Sequence, residues 1–233
     1  MNLNLMRWFI AICAVISVNV LANERIKLEE NFGIKILEME PSRIADFYRV
    51  ITDDQQILYM STDKRFILTG PLFKITNDNQ VINVTQEILK EKRLSEFESI
   101  SKTGILFRSR NERFVVNIFI DTDCFYCKKI HHHIEKYLTN GVSIRYFALP
   151  SETHNGRSFR TLSSIWCSND QKHKINLAMS GIIPTYIECS SPILSHQDFA
   201  VRSGFKGTPT LLLEDGQVIE GFISPSKLHK LLN

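Results

Sequence analysis

The sequence predicts an α+β module at the N-terminus, a connecting helix, and then an α/β domain that carries a helical insertion. Three patterns lead there. From residue 23 to about 85, short β-prone runs alternate with turn residues. Between about 85 and 102 the chain becomes strongly charged. Beyond Gly104, two apolar runs of strand length, 114–120 and 142–148, enclose a helical stretch. A chain of 233 residues accommodates one large domain or two modest ones. The shifts of pattern divide it into 1–22, 23–84, 85–103 and 104–233.

In the first module, residues 57–60 and 66–68 flank a polar loop and read as a hairpin. Gly70-Pro71 interrupts the pattern, residues 72–75 resume it, and Asn77-Asp78-Asn79 turns the chain again. A few strands and a short helix make a thin core, of the kind commonly completed by self-association. Thr85, two residues before Glu87, reads as the cap of the helix that follows. That helix is mostly polar, with a patchy stripe of Ile88, Leu89, Leu94, Phe97 and Ile100. Such a helix usually bridges domains, the rival being a surface helix of a single domain.

Residues 114–120 form the next strand, and a helix runs from the cysteines to about Asn140, where Gly141 ends it. Residues 142–148 then complete a βαβ unit with parallel strands. A helical stretch, 157–204, follows. Strands at 210–214 and 217–222 are joined by Asp215-Gly216, a strong hairpin signal, and a helix at 225–232 closes the chain.

The N-terminus reads as a targeting segment. Arg7 is the only charged side chain before Glu24, an apolar run follows from 8 to 16, and Val20-Leu21-Ala22 supplies a cleavage site. The apolar run falls short of the roughly 18 residues of a membrane span. Cleavage after Ala22 removes Cys13 and leaves Cys124, Cys127, Cys167 and Cys189, an even set suited to an oxidising compartment. Four cysteines allow three connectivities. Spacing suggests Cys124 with Cys127 as a redox pair and Cys167 with Cys189 as a separate bridge. Composition is ordinary, and a net charge of +3 without a basic block gives no support to nucleic-acid binding.

Cys124-Phe125-Tyr126-Cys127 directly follows the strand at 114–120, so one sulfur sits at a helix N-terminus and the other one turn further in. Unpaired N–H groups of that first turn favour thiolate, which predicts a nucleophilic Cys124 and thiol–disulfide exchange. Asp123 works against it: a carboxylate beside a thiolate disfavours ionisation, so Cys124 is expected to be less acidic than in a chain lacking that acid. His131-His132-His133 invites a metal reading, with Cys124, Cys127 and His131 as one zinc set. Adjacent helical residues point about 100° apart and cannot all meet one ion, so an exposed polar helix face is the plainer reading. Lys128 stands where a c-type haem needs His. No metal and no cofactor is expected. Trp166 reads as core packing beside Cys167.

A C-x-x-C after the first strand of this βαβ–insert–ββα order, with Gly207-Thr208-Pro209 opening the third strand, resembles the thioredoxin fold. The likeness goes further. Leu58-Tyr59-Met60-Ser61-Thr62-Asp63, Leu68-Thr69-Gly70-Pro71, Asn83-Val84-Thr85, residues 115–127, Ile144-Arg145-Tyr146, Ile165-Trp166-Cys167 and Gly207-Thr208-Pro209 are similar in type and order to the DsbC/DsbG family of bacterial periplasmic disulfide isomerases. That resemblance implies a cystatin-like N-terminal dimerisation domain, a linker helix and a thioredoxin-like catalytic domain, in a homodimer whose arms face a shared cleft. It also implies attack by Cys124 on misformed disulfides of secreted proteins, resolution by Cys127, and a structural bridge between Cys167 and Cys189. Client contacts fall to Thr208, cis-Pro209, Phe125 and Tyr126, and a membrane reductase of the DsbD type keeps the pair reduced. Phe125 departs from the family, which usually has a small residue there. Rival readings are a DsbG-like reductase of oxidised single cysteines, a disulfide oxidant, and a mainly non-catalytic chaperone.

Overall fold

The computed structural model describes residues 33, 35–53, 55–151, 156–187 and 189–233. The leader segment, Cys13 and the cleavage site at Ala22 lie outside them. Two compact units divide between Thr85 and Gln86.

The first unit is an antiparallel meander of β1 (Ile36–Pro41), β2 (Phe47–Thr52), β3 (Ile57–Ser61) and β4 (Ile67–Thr69), followed by the hairpin of β5 (Phe73–Ile75) and β6 (Val81–Asn83). Ile36, Val50, Leu58 and Met60 form its small core. The predicted hairpin at 57–68 is present, with Met60 opposite Ile67 and Leu58 opposite Thr69. Much of the apolar surface of β4 to β6 stays outside this core: Phe66, Leu68, Phe73, Ile75 and Val81 are all exposed.

Helix α1 (Val84–Phe97) starts two residues earlier than a cap at Thr85 predicts, which corrects the reading of Thr85. Its hydroxyl lies inside the first turn, where it accepts the Leu72 N–H at 2.8 Å and meets the Tyr59 hydroxyl at 3.1 Å. Thr85 therefore ties the helix start to β3 rather than serving as a cap.

The rest of α1 belongs to the second unit. Lys90 pairs with Asp215 at 2.9 Å, Arg93 donates to the Ser203 carbonyl, and Phe97 packs edge-on to Phe147 and Phe199 at 5.2 and 5.5 Å. Gly216 is required at that contact. Its φ of +80° suits glycine, and a Cβ there would fall 2.7 Å from the Lys90 carbonyl oxygen. The helix ends at Phe97, short of the predicted 102, and turns carry the chain to Gly104.

The second unit holds β7 (Ile105–Phe107), β8 (Phe114–Ile120), β9 (Val142–Ala148), β10 (Thr210–Leu212) and β11 (Val218–Glu220) in one five-stranded sheet, in the order β11-β10-β8-β9-β7. β8 and β9 are the parallel pair, with the predicted bounds; β10 and β11 are shorter than predicted. Both central strands are covered on two faces, which is why they read as mainly apolar runs, interrupted only by Asn117 in β8 and by Ser143 and Arg145 in β9. Val116, Ile118 and Ile120 of β8 join Ile144, Tyr146 and Ala148 of β9 in one core. Phe119 and Phe147 point the other way into an aromatic cluster with Phe97 and Phe199. The edge strand β7 (Ile105–Phe107), antiparallel to β9, went unread because three residues are too few to show a period.

The helix after the cysteines is broken, where one continuous helix was expected. α2 (Phe125–His132) and α3 (Ile134–Thr139) meet at His133, whose φ of −99° and ψ of 12° leave the α region. The insertion holds α4 (Arg157–Trp166), α5 (Gln171–Met179) and α6 (Ile193–Arg202). Cys167 and Cys189 are disulfide-bonded across 22 residues, while Cys124 and Cys127 are free. Helix α7 (Pro225–Leu232) begins as its sequence dictates, with Ser224 capping the Lys227 N–H and Pro at the first helical position.

Two features of the insertion carry predictions, one of them buried. His196 lies wholly inside, its Nδ1 accepting the Ala148 N–H at 3.1 Å, so Nε2 carries the proton and donates to the Thr103 hydroxyl at 2.7 Å. Burial drives its pKa down from 6.5 to about 4. The folded state thus binds fewer protons than the unfolded one between those values. Stability should fall as pH is lowered from about 6.5 to about 4, by about 3 kcal/mol in all, and His196→Gln should flatten the slope in chemical denaturation. Opening the disulfide with Cys167→Ser plus Cys189→Ser should cost on the order of 3 kcal/mol of loop-closure entropy, read as a lower urea midpoint.

Candidate active site

The chain leaves β8 at Ile120 and enters α2 at Phe125, so four residues, 121–124, must turn it. Asp121 organises that turn. It is buried, and its carboxylate accepts the Asp123 N–H at 2.9 Å, the Ser151 N–H at 2.8 Å, the Ser151 hydroxyl at 2.7 Å and the Ser158 hydroxyl. Four donors are what a buried carboxylate needs to remain in place. The sequence reading missed this residue. The available signal was an acidic side chain closing an otherwise apolar strand.

Cys124 is then the N-cap of α2, with extended backbone at φ −74° and ψ 121°. Its sulfur accepts the Cys127 N–H at 3.4 Å, and as a thiol it donates to the Thr208 carbonyl at 3.2 Å. The Thr208–Pro209 peptide bond is cis. The pKa of Cys124 falls from 9.0 to about 5. The Cys127 thiol, hydrogen-bonded to its sulfur, is the largest cause, with the Thr208 side chain and the backbone N–H groups of Cys127 and Tyr126 adding to it against partial burial. Cys127 moves the other way: burial above all, then the neighbouring sulfur, raises its pKa far above the ordinary thiol value. One thiolate and one retained proton result.

The remaining predicted site residues gather here as well. Phe125 and Tyr126 are exposed, with rings edge-on at 5.4 Å, and Tyr126 also lies over Phe222. Pro209 is buried and Thr208 half-buried. Cys167 and Cys189 are held apart in their own bridge. His131 corrects the exposed-face reading: it is half-buried, 3.3 Å from the Tyr146 hydroxyl and 2.9 Å from Asn176 Oδ1. Among the described residues no group of three His, Cys, Asp or Glu could hold a metal ion. Trp166 is buried, and its indole donates to the Thr103 carbonyl at 2.9 Å.

Asp123 does not act on the thiolate as its sequence position led us to expect. Its carboxylate is turned to Arg157, whose Nη2 and Nε lie 3.0 and 3.3 Å from one oxygen. An opposite charge at that range offsets its field at Cys124. Asp123→Asn is accordingly expected to leave the Cys124 pKa within a few tenths of a unit. Cys127→Ala, which removes the main donor, should raise it by about one unit or more. The pH dependence of alkylation rate measures both, and wild-type reactivity should fall away only below about pH 5.

Comparison with known proteins adds to this geometry. Residues 19–86 match the family described as the disulfide bond isomerase protein N-terminal domain, and residues 102–233 match the thioredoxin-like domain family. The thiol:disulfide interchange protein DsbC of Dickeya dadantii is 30% identical over 201 residues, which cover 86% of this chain and 82% of that one. The protein of the same name from Haemophilus influenzae is 29% identical over 226 residues and 96% of each chain. The solved thiol-disulfide exchange protein alpha-DsbA2 from Wolbachia pipientis shares the fold, with a TM-score of 0.50 at 16% identity over 65% of this chain and 98% of that one. With both domains matched in order, and a cysteine pair poised as thiolate and thiol against a cis-proline, this chain belongs to the DsbC family of thiol:disulfide interchange proteins.

Proposed function

We propose that this protein is a disulfide isomerase and reductase in which Cys124 attacks and Cys127 resolves. The observation that carries the reading is the division of labour between the sulfurs: Cys124 is half-exposed with a pKa near 5, while Cys127 is buried and keeps its proton. In the first step the Cys124 thiolate attacks one sulfur of a client disulfide. The client S–S bond breaks, a mixed disulfide forms, and the other client sulfur leaves as thiolate. A different client thiolate can then attack the mixed disulfide, which returns Cys124 and leaves the client rearranged with no net change in oxidation. Alternatively Cys127 loses its proton and attacks. That leaves a Cys124–Cys127 disulfide and two client thiols, so two electrons have passed to the client. The buried, poorly acidic Cys127 slows this second route and favours isomerisation.

Thr208, Pro209, Phe125 and Tyr126 are the client-contacting residues of this reading. The aromatic pair offers apolar surface beside the sulfur, and the Thr208 carbonyl lies within hydrogen-bonding distance of it. The Cys167–Cys189 bridge is structural. Self-association through the first unit is supported by its small core and by exposed Phe73, Ile75 and Val81, which a second copy would cover. Helix α1 is the linker to the catalytic domain. Removal of the leader near Ala22 delivers the chain to the periplasm. Among the described residues no helix is long and apolar enough to cross a membrane. Resetting an oxidised pair requires an external dithiol reductant, a role suited to a membrane reductase of the DsbD type.

Scrambled ribonuclease tests the reading. The reduced protein should restore its activity, Cys124→Ala should abolish that, and Cys127→Ala should keep a measurable part because client thiols can still release Cys124. Oxidation of reduced ribonuclease without any reshuffling of the scrambled form would instead make the protein an oxidant.

A further inference from the structure

Two adjoining cavities run from the C-x-x-C turn along α4. The smaller, about 140 Å³, is bounded by Thr122 and Asp123, the residues just before Cys124, by Lys128, by Arg157 and by the loop at Ile182 and Ile183. The larger, about 490 Å³, shares Arg157 and Ile183 with it and continues past Arg160 to Pro184 and Tyr186. Their composition is uneven. Among the described residues that line them, Lys128, Arg157 and Arg160 supply three cations against one carboxylate, Asp123, which Arg157 already holds. The Arg160 guanidinium lies 4.6 Å over the Tyr186 ring. Ile182, Ile183 and Tyr186 are exposed, an apolar wall open to solvent.

A second observation points into the smaller cavity. Thr122 is only 3% exposed, and its hydroxyl lacks a hydrogen-bond partner among the described residues. A buried hydroxyl without a partner is costly, so one bordering a cationic cavity gains a partner if an acceptor enters there.

We propose that this groove receives the client segment next to its reacting cysteine and selects for an acidic side chain there, followed by an apolar one. The inference rests on the interchange reading above and names its preferred clients. A carboxylate entering beside Thr122 meets Lys128 and the unused donors of Arg157, in a charge-assisted contact a neutral side chain does not make. The residue beyond it lies along Ile183, Pro184 and Tyr186. A basic side chain in the same place is repelled by the surplus of cations.

The test uses disulfide-linked reporter peptides identical except for the residue beside the cysteine, Glu, Gln or Lys, each followed by Leu. They are reacted with reduced full-length protein, and rates are compared as ratios within each variant, which cancels any change in Cys124 itself. The Glu peptide should react about fivefold faster than the Gln peptide, and the Lys peptide slowest, with the spread narrowing as salt rises. Lys128→Gln plus Arg160→Gln should bring the Glu:Gln ratio close to one. Lys227→Gln, at a position lining neither cavity, should leave that ratio standing. Equal Glu and Gln rates in the wild type overturn the groove alone, as does a ratio untouched by the double variant or abolished by Lys227→Gln. Failure of every peptide to react overturns the interchange reading and the groove with it.

Discussion

The buried thiol of Cys127, one turn inside α2, hydrogen-bonds to the sulfur of Cys124 at the helix start, and much of the molecule is arranged around that contact. It lets two chemically identical groups differ: one gives up its proton below neutrality, the other holds it. The backbone contributes as well, because a helix that begins at Cys124 presents unsatisfied N–H groups to its sulfur. The effect is local to this turn. It depends on where β8 stops and α2 starts.

That junction is held from three directions. Asp121, buried with four donors, pins the turn to Ser151 and to α4 through Ser158. The sheet anchors the turn from below, since β8 is buried on both faces between two cores. Across the turn, the Thr208 carbonyl beside cis-Pro209 lies 3.2 Å from the Cys124 sulfur. A nucleophile that must be reachable and acidic at once needs rigid surroundings, because hydrogen bonds to sulfur stabilise the thiolate only while their geometry persists.

Particular residues show how far the sequence could be read. The bounds of β8, β9 and α7 were legible because each has a strong local cause: mainly apolar runs of strand length for the two strands, Ser224-Pro225 for the helix. Three features were misread because their cause is non-local. Thr85 has the composition of a cap, but its hydroxyl is taken by Leu72 and Tyr59, thirteen and twenty-six residues away. Asp123 borders the thiolate in the chain, yet Arg157, thirty-four residues on, takes its charge. His131 looked like part of a polar face, and Asn176 and Tyr146 draw it inward.

The division follows from the range of each force. Hydrophobic period, turn chemistry and the position of C-x-x-C at a strand-to-helix junction are properties of short segments, so the sequence alone determined the α/β domain, the order of its elements and the place of the free cysteine pair at a helix start. How far the two sulfurs are driven apart in acidity, which carboxylate is neutralised and which side chains wall the groove beside Cys124 were settled only by tertiary structure. Electrostatic and hydrogen-bonding effects act over a few ångströms in space, and no spacing along the chain records which distant residues will lie within that distance.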